Sequence, residues 1–191
     1  MYMILLYVLV LYVLMRIMPD TDVDRFANDD PLEVGIKYDI PTDGLFQVHW
    51  PNGQLRYEWY YKDGKRADGV VSKAWWPNGN LKSEENYKND KKDGLSTSWY
   101  DNGMQSYEGT FKNGEKDGQW IGWTENGQKR SEETYKDGKR DGLWTWWYEN
   151  GHKRRETTYK NGLEDGLYTD WYENGQKKLE VTYKNGEPID G

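Results

Sequence analysis

The sequence contains no cysteine and only two histidines, and both shortages narrow the chemistry open to the protein. Without cysteine there is no disulfide framework, thiol nucleophile or lipid-modified cysteine. His49 and His152 lie far apart in the chain, which argues against a zinc site or a catalytic histidine. The chain also lacks a Gly-rich phosphate loop and the alternating Asp residues of a calcium loop. We therefore expect no catalytic residues, no metal and no cofactor.

Apolar side chains are scarce, because hydrophobic residues make up only 35% of the chain. The 11 Trp and 16 Tyr are the exception, so we expect burial to come from rows of aromatic rings. The net charge of −7 disfavours binding to nucleic acid and to anionic lipid headgroups. Apart from the N-terminus, no segment shows a sustained helical period.

The N-terminus is the one long apolar stretch, MYMILLYVLVLYVLMRIM. Its length is close to the roughly 17 to 25 residues of a spanning helix, and Arg16 near one end can snorkel. It lacks the basic region and cleavage motif of a secretory signal, which predicts a transmembrane anchor or uncleaved signal over residues 1–18. The side of the membrane stays open. A start at Met15 or Met18 would instead give a cytoplasmic protein. Residues 19–42 read as an acidic tether.

An Asp-Gly pair recurs every 24 or 25 residues from Asp43 onward. Each interval is predicted to be one supersecondary unit that buries its apolar side chains only against its neighbours. The predicted repeat domain covers residues 43–191, with units at 43–67, 68–92, 93–116, 117–140, 141–164 and 165–189.

Two turns divide each unit into two strands. Asn-Gly ends the first half of every unit, and Asn-Gly or Asp-Gly ends the second half, with Asp90 in place of one glycine. These pairs are typical of type I′ hairpin turns, in which both central residues have positive φ. The pattern predicts twelve antiparallel strands in a continuous meander, with a strained or wider turn at Asp90.

Strand alternation assigns side chains to two faces. With a two-residue first turn, Trp147 would lie opposite Arg154, and Trp75 opposite Lys82. One face would then carry the candidate partner-binding residues, namely Trp75, Trp99, Trp123, Trp147 and Trp171 with Glu84, Glu108, Glu132, Glu156 and Glu180. The other face would pack through an aromatic stripe formed by Trp50, Trp76, Tyr100, Tyr148 and Tyr172 with Tyr61, Tyr87, Phe111, Tyr135, Tyr159 and Tyr183.

The pattern DGxWxxWYxNGxxxxExxYKNGxx, which covers residues 43–187, resembles the MORN-variant repeat of many bacterial proteins, including the YwqK-type antitoxin-component group. The resemblance implies an all-β fold: an elongated single-layer antiparallel meander of six two-stranded repeats that serves as a scaffold for other proteins. Here an N-terminal hydrophobic helix would precede it.

These observations predict a membrane-tethered scaffold that binds another protein along one sheet face. Two alternatives are an antitoxin-like neutraliser of a partner toxin and a glycan or cell-wall binder that stacks sugar rings on the Trp row. An uncapped last strand would also favour end-to-end self-association, unless the chain is part of a longer array.

Overall fold

The structure is a computed structural model that describes residues 40–189. The predicted anchor at residues 1–18 and the tether up to residue 39 lie outside the described residues. Among residues 40–189 no helix is long and apolar enough to cross a membrane.

The described residues form one open antiparallel sheet in which each hairpin pairs with the next. The strands are β1 (Gly44–His49), β2 (Leu55–Lys62), β3 (Lys65–Arg66), β4 (Val71–Trp75), β5 (Leu81–Lys88), β6 (Lys91–Trp99), β7 (Gln105–Lys112), β8 (Glu115–Trp123), β9 (Lys129–Lys136), β10 (Lys139–Arg140), β11 (Gly142–Trp147), β12 (Lys153–Lys160), β13 (Leu163–Glu164), β14 (Gly166–Trp171), β15 (Lys177–Lys184) and β16 (Glu187–Pro188). The all-β meander is therefore confirmed, with twelve long strands as predicted and four two-residue strands in addition.

The second turn of each unit has the predicted type I′ geometry, because both of its central residues adopt positive φ, as at Asn113 (53°) and Gly114 (91°). The prediction of a wider turn at Asp90 is wrong. Asn89 and Asp90 have φ values of 51° and 59°, and the flanking Lys88 and Lys91 pair as their counterparts do. Asp tolerates left-handed geometry, so the turn keeps its length without glycine.

The first turn differs from the prediction. In the first unit the Gly53 N–H donates to the Trp50 carbonyl at 2.8 Å, and of the turn residues only Gly53 has positive φ. This is a three-residue loop, a type I turn that ends in a left-handed glycine and a β-bulge. Pro51 occupies the turn position that proline favours, and it was the sequence signal for this type. The bulge shifts the register by one residue just before Trp75, Trp99, Trp123, Trp147 and Trp171.

The Asp of each Asp-Gly pair holds the second turn of its own unit. The Asp141 Oδ2 accepts the Asn161 N–H at 3.1 Å, and the following Gly142 has a φ of 103° that favours glycine. The same bond joins Asp43 to Asp63, Asp68 to Asn89, Asp93 to Asn113, Asp117 to Asp137 and Asp165 to Asn185. The repeated dipeptide is thus explained by turn chemistry.

We expect Asp141→Ala to lower the free energy of unfolding by about 0.5 to 1.5 kcal/mol, because the Asn161 N–H loses its acceptor. Asp141→Asn keeps an acceptor oxygen and is expected to cost less. Urea unfolding followed by Trp fluorescence measures both. Equal losses for the two variants would contradict this role for the Asp141 oxygen.

Side chains in the first turns join successive units. The Asn150 Nδ2 donates to the Glu173 carbonyl at 2.7 Å, and the Tyr148 hydroxyl donates to the Trp171 carbonyl at 2.8 Å. Equivalent bonds run from Asn52, Asn78 and Asn102 and from Trp50, Trp76 and Tyr100. The turn aromatics of the predicted stripe thus also link neighbouring units. Tyr172 is half exposed.

One face of the sheet, which we call the packed face, contains the buried apolar side chains. Trp144 is its most buried aromatic, at 2% exposure, and it stacks near Tyr135 and Tyr159 at centroid distances of 4.9 and 5.2 Å. The others are Val48, Tyr57, Trp59, Tyr61, Ala74, Tyr87, Tyr107, Trp120 and Tyr159. The stripe prediction holds for its second-strand members Tyr61, Tyr87 and Tyr159. The predicted stripe omitted Trp59, Trp120 and Trp144. Strand alternation already indicates the face of Trp144, because Trp144 and Trp147 lie an odd number of residues apart and so occupy opposite faces.

Cations from the strands that link the units cover these rings. The Arg140 guanidinium lies 4.6 Å from the Trp144 ring centroid and 5.2 Å from that of Tyr159. Lys116 lies over Trp120 and Tyr135 in the same way, and Arg66 over Trp59 and Tyr87. Long side chains with apolar stems therefore shield the aromatic rings of a sheet that has no second layer among the described residues.

Candidate functional site

The face opposite the packed face, which we call the open face, has at its middle a row of residues that are all polar except Ile121. The central row crosses twelve strands in register: Gln47, Glu58, Lys73, Glu84, Thr97, Glu108, Ile121, Glu132, Thr145, Glu156, Thr169 and Glu180. All five predicted glutamates lie in it. Thr97, Thr145 and Thr169 are buried, with exposures of 8, 4 and 4%, so these positions are recessed between longer side chains.

The Trp row lies two residues along the strands from the central row. It consists of the five predicted tryptophans, Trp75, Trp99, Trp123, Trp147 and Trp171, which are all half-buried. Between them lie the residues that pair with them across each hairpin, Leu81, Gln105, Lys129, Lys153 and Lys177. Because the indole of each Trp comes from the first strand of its unit, successive rings are two strand spacings apart, about 9.6 Å.

The predicted cation partners of these tryptophans are wrong by one residue. Trp147 pairs with Lys153 instead of Arg154, because the first turn has three residues, and a bulge at Arg154 restores the predicted register at Trp146 and Arg155. The cations predicted to face the row lie over other rings, as Arg130 does over Tyr107 on the packed face. The Lys82 ammonium is 4.6 Å from the Trp76 centroid, and the Arg56 guanidinium is 4.2 Å from that of Trp50.

A third row on the open face was not predicted. Leu45, Leu95, Leu143 and Leu167 lie two residues from the central row on the side away from the Trp row, with exposures of 53, 49, 52 and 51%. Val71 and Gln119 take the same position in the second and fourth units. The sequence feature that indicates this row is the apolar residue directly after most Asp-Gly pairs. We call this the Leu row.

The charges of the central row differ between the two halves of the sheet. Lys129 forms an ion pair with Glu132 at 2.8 Å, and Lys153 and Lys177 pair with Glu156 and Glu180. In the first three units, Glu84 pairs with Lys73 at 2.9 Å, while Glu58 and Glu108 accept hydrogen bonds from glutamine amides. The hydrogen bond from Lys177 lowers the pKa of Glu180. Negative charge is therefore least compensated around Glu58 and Glu108.

Two lysines of the Trp row also cover tryptophan rings of the next unit. The Lys129 ammonium lies 5.5 Å from the Trp147 centroid, and that of Lys153 lies 5.8 Å from the Trp171 centroid. Cation–π contact therefore exists, but between units instead of across a hairpin. Within residues 40–189, no group of three His, Cys, Asp or Glu side chains could hold a metal ion.

A partly exposed ion pair lies on the packed face between β12 and β14. The Arg155 Nε donates to Asp170 Oδ1 at 2.8 Å, and the Tyr168 hydroxyl donates to Asp170 Oδ2 at 3.1 Å. Burial raises the pKa of the Asp170 carboxyl, but the hydrogen bond and positive charge of Arg155 outweigh it, so the pKa lies below its ordinary value. Burial likewise raises the pKa of Tyr168, to about 12.

We expect the stability contributed by Asp170 to depend on pH. The pKa of the Asp170 carboxyl is lower in the folded protein than in the unfolded chain, where it is about 3.9. The stabilisation by Asp170 is therefore complete above this unfolded pKa, and it is lost as the pH falls through the folded pKa. Asp170→Asn should therefore lower the urea midpoint most at pH 7, and the difference from the native protein should shrink as the pH falls below about 3.9. Glu173→Gln, in an exposed turn, is the control. An equal loss at pH 7 and at acidic pH would contradict the ion pair.

Comparison with known proteins agrees with the geometry of the six hairpins. The family model described as MORN repeat variant matches residues 42–63, 70–89, 92–113, 116–137, 140–161 and 164–185. MORN repeats are commonly scaffolds for interactions with proteins or membranes. No curated protein matches the chain. The matched segments cover more than half of the sequence, and each spans one hairpin up to the first residue of its second turn, so the chain belongs to the MORN repeat variant family.

Proposed function

We propose that the protein is a non-enzymatic, membrane-tethered scaffold whose open face binds another protein. The observation that carries the proposal is the Leu row. Four leucines, each about half exposed, lie on the same face as five half-buried tryptophans. Soluble proteins seldom leave such regular apolar surface uncovered without an interaction role.

The composition of the face fits a protein partner. Aromatic anchors are enriched at the centres of protein interfaces, and polar groups between them give specificity. The central row supplies such groups, since Glu58 and Glu108 have spare carboxylate acceptors. The membrane tether is proposed from residues 1–18 alone, on their length and lack of charge.

Glycan binding and toxin neutralisation are the two alternative functions of the open face. Sugar rings stack on free aromatic faces, but Lys129 and Lys153 already lie over the Trp147 and Trp171 rings. This favours a protein ligand over a continuous glycan track. Neutralisation of a toxin is one form of protein binding, and the identity of the captured partner would decide it.

The test is capture of partners on the full-length chain, solubilised in mild detergent, followed by mass spectrometry. The test variant is Leu95→Asp with Leu143→Asp, which places charge on the Leu row at half-exposed sites. The matched control is Met104→Asp with Leu163→Asp, two exposed apolar residues outside the three rows. We expect a specific protein that the control retains and the test variant loses. Capture that is unaffected by both variants, or recovery of polysaccharide alone, would reject the proposal.

A further inference from the structure

The open face repeats at a distance that few peptide conformations match. Successive tryptophans are about 9.6 Å apart, because two strand spacings of about 4.8 Å separate them. A polyproline II helix advances about 9.3 Å in three residues. Seven residues of an α-helix advance about 10.5 Å, and two residues of a strand about 6.8 Å. Polyproline II therefore stays in register with the Trp row most closely.

The row is suited to proline chemically as well as by spacing. Proline-rich segments dock between flat aromatic rings, and their conformation costs little entropy because it is already populated in the free peptide. Over residues 40–189, cations cover the rings of Trp147 and Trp171 but none of Trp75, Trp99 and Trp123. The rings accessible to proline are therefore those of the second, third and fourth units.

The charge beside these three rings selects for a basic ligand. Glu108 pairs with Thr97 on one side and Ile121 on the other, which places it between Trp99 and Trp123 and two residues along the strands. Its carboxylate accepts a hydrogen bond from the Gln105 amide at 3.1 Å and has no lysine partner among the described residues. An arginine between two prolines of a ligand would lie over this carboxylate.

The spacing of the rings is held by the bonds between units. The Trp76 Nε1 donates to the Trp99 carbonyl at 2.9 Å, and the Tyr100 hydroxyl donates to the Trp123 carbonyl at 2.7 Å. The backbone of each ring-bearing residue is thus tied to the preceding turn. The binding surface is preorganised, which lowers the entropy cost of association.

Resting on the proposed function, we propose that Trp75, Trp99, Trp123 and Glu108 bind a proline-rich, basic segment of a partner protein in the polyproline II conformation. Three ligand residues span each repeat unit, with a proline against each of the three tryptophans. Polyproline II has no internal hydrogen bonds, so such a segment can follow the twist of the sheet.

The test measures fluorescence anisotropy of labelled peptides with the full-length chain in detergent. The probe contains four Arg-Pro-Pro triplets, and the comparison peptide contains four Arg-Gly-Gly triplets of equal charge. We expect the first peptide to bind at least about tenfold more tightly. Trp99→Ala with Trp123→Ala should weaken binding by about tenfold or more, and by more than Trp147→Ala with Trp171→Ala.

If the loss of two tryptophans unfolds the sheet, a variant that changes only the charge of the surface still tests the proposal. Glu108→Lys alters a half-exposed side chain and should shift preference from the Arg-Pro-Pro peptide to one of Glu-Pro-Pro triplets. Equal binding of the proline and glycine peptides, absence of binding, or equal effects of the two Trp pairs would overturn the proposal. If the peptides fail while the Leu row variant still loses its captured protein, the open face binds protein by another mode. If both fail, the proposed function fails as well.

Discussion

Trp144→Ala is expected to lower the free energy of unfolding by about 3 to 5 kcal/mol, the usual cost of removing a buried indole. Trp144 is 2% exposed and contacts the rings of Tyr135, Trp146 and Tyr159. Its Nε1 also donates to the Thr134 carbonyl at 2.8 Å, which joins β11 to the preceding hairpin. A domain that is stable by about 5 to 15 kcal/mol would lose a large fraction of its stability.

Trp147→Ala is the matched control, since it removes the same side chain three residues away on the open face. Trp147 is half-buried, so its loss should cost clearly less than the loss of Trp144. Denaturant unfolding followed by circular dichroism avoids reliance on Trp fluorescence. If the two variants were equally destabilised, the assignment of the packed and open faces would be wrong.

Gly109→Val is expected to destabilise the protein by about 3 kcal/mol, although valine favours strands more than glycine does. A Cβ at Gly109 would overlap the indole of Trp120, which crosses directly over this position. Trp120 cannot move aside easily, because it is 5% exposed and packs against Phe111 at a centroid distance of 4.9 Å. Its Nε1 also donates to the Thr110 carbonyl.

A double-mutant cycle separates this clash from a general effect of valine. In a Trp120→Ala background the overlap disappears, so Gly109→Val should cost much less than in the native background. The stability of all four proteins can be measured by urea unfolding. Additive losses would show that the Trp120 indole does not restrict residue 109.

Much of the fold followed from local chemistry that the sequence displays. The Asp-Gly period, the type I′ second turns and strict alternation were enough to place Glu156 and Trp147 on one face. The first turn was mistaken because Asn-Gly suits two turn types, and the backbone of the preceding residue decides between them. The shift moved the predicted cations out of register with the Trp row, and Lys82, for example, lies over the turn aromatic Trp76.

The inner packing was harder to predict because it depends on how neighbouring units complement one another. Trp144 is buried where Trp147 is not, yet both occur in one aromatic run, and only a fixed register distinguishes them. Gly109 and Trp120 belong to different units, so the sequence of a single repeat does not show that the Trp120 indole needs the space beside Gly109. The Leu row was overlooked because a single exposed leucine is ordinary, and only its recurrence after the Asp-Gly pairs indicates the row.

Four of the five junctions between the described units use equivalent groups, so the units follow one another at a constant spacing. Asn78 bonds the Asp101 carbonyl and Asn150 bonds the Glu173 carbonyl, so these two junctions have the same hydrogen bond. Deleting or duplicating a whole unit would therefore change the length of the surface in steps of about 9.6 Å without altering its cross-section. Selection could match the protein to partners of different reach by copy number alone, leaving every side chain in place.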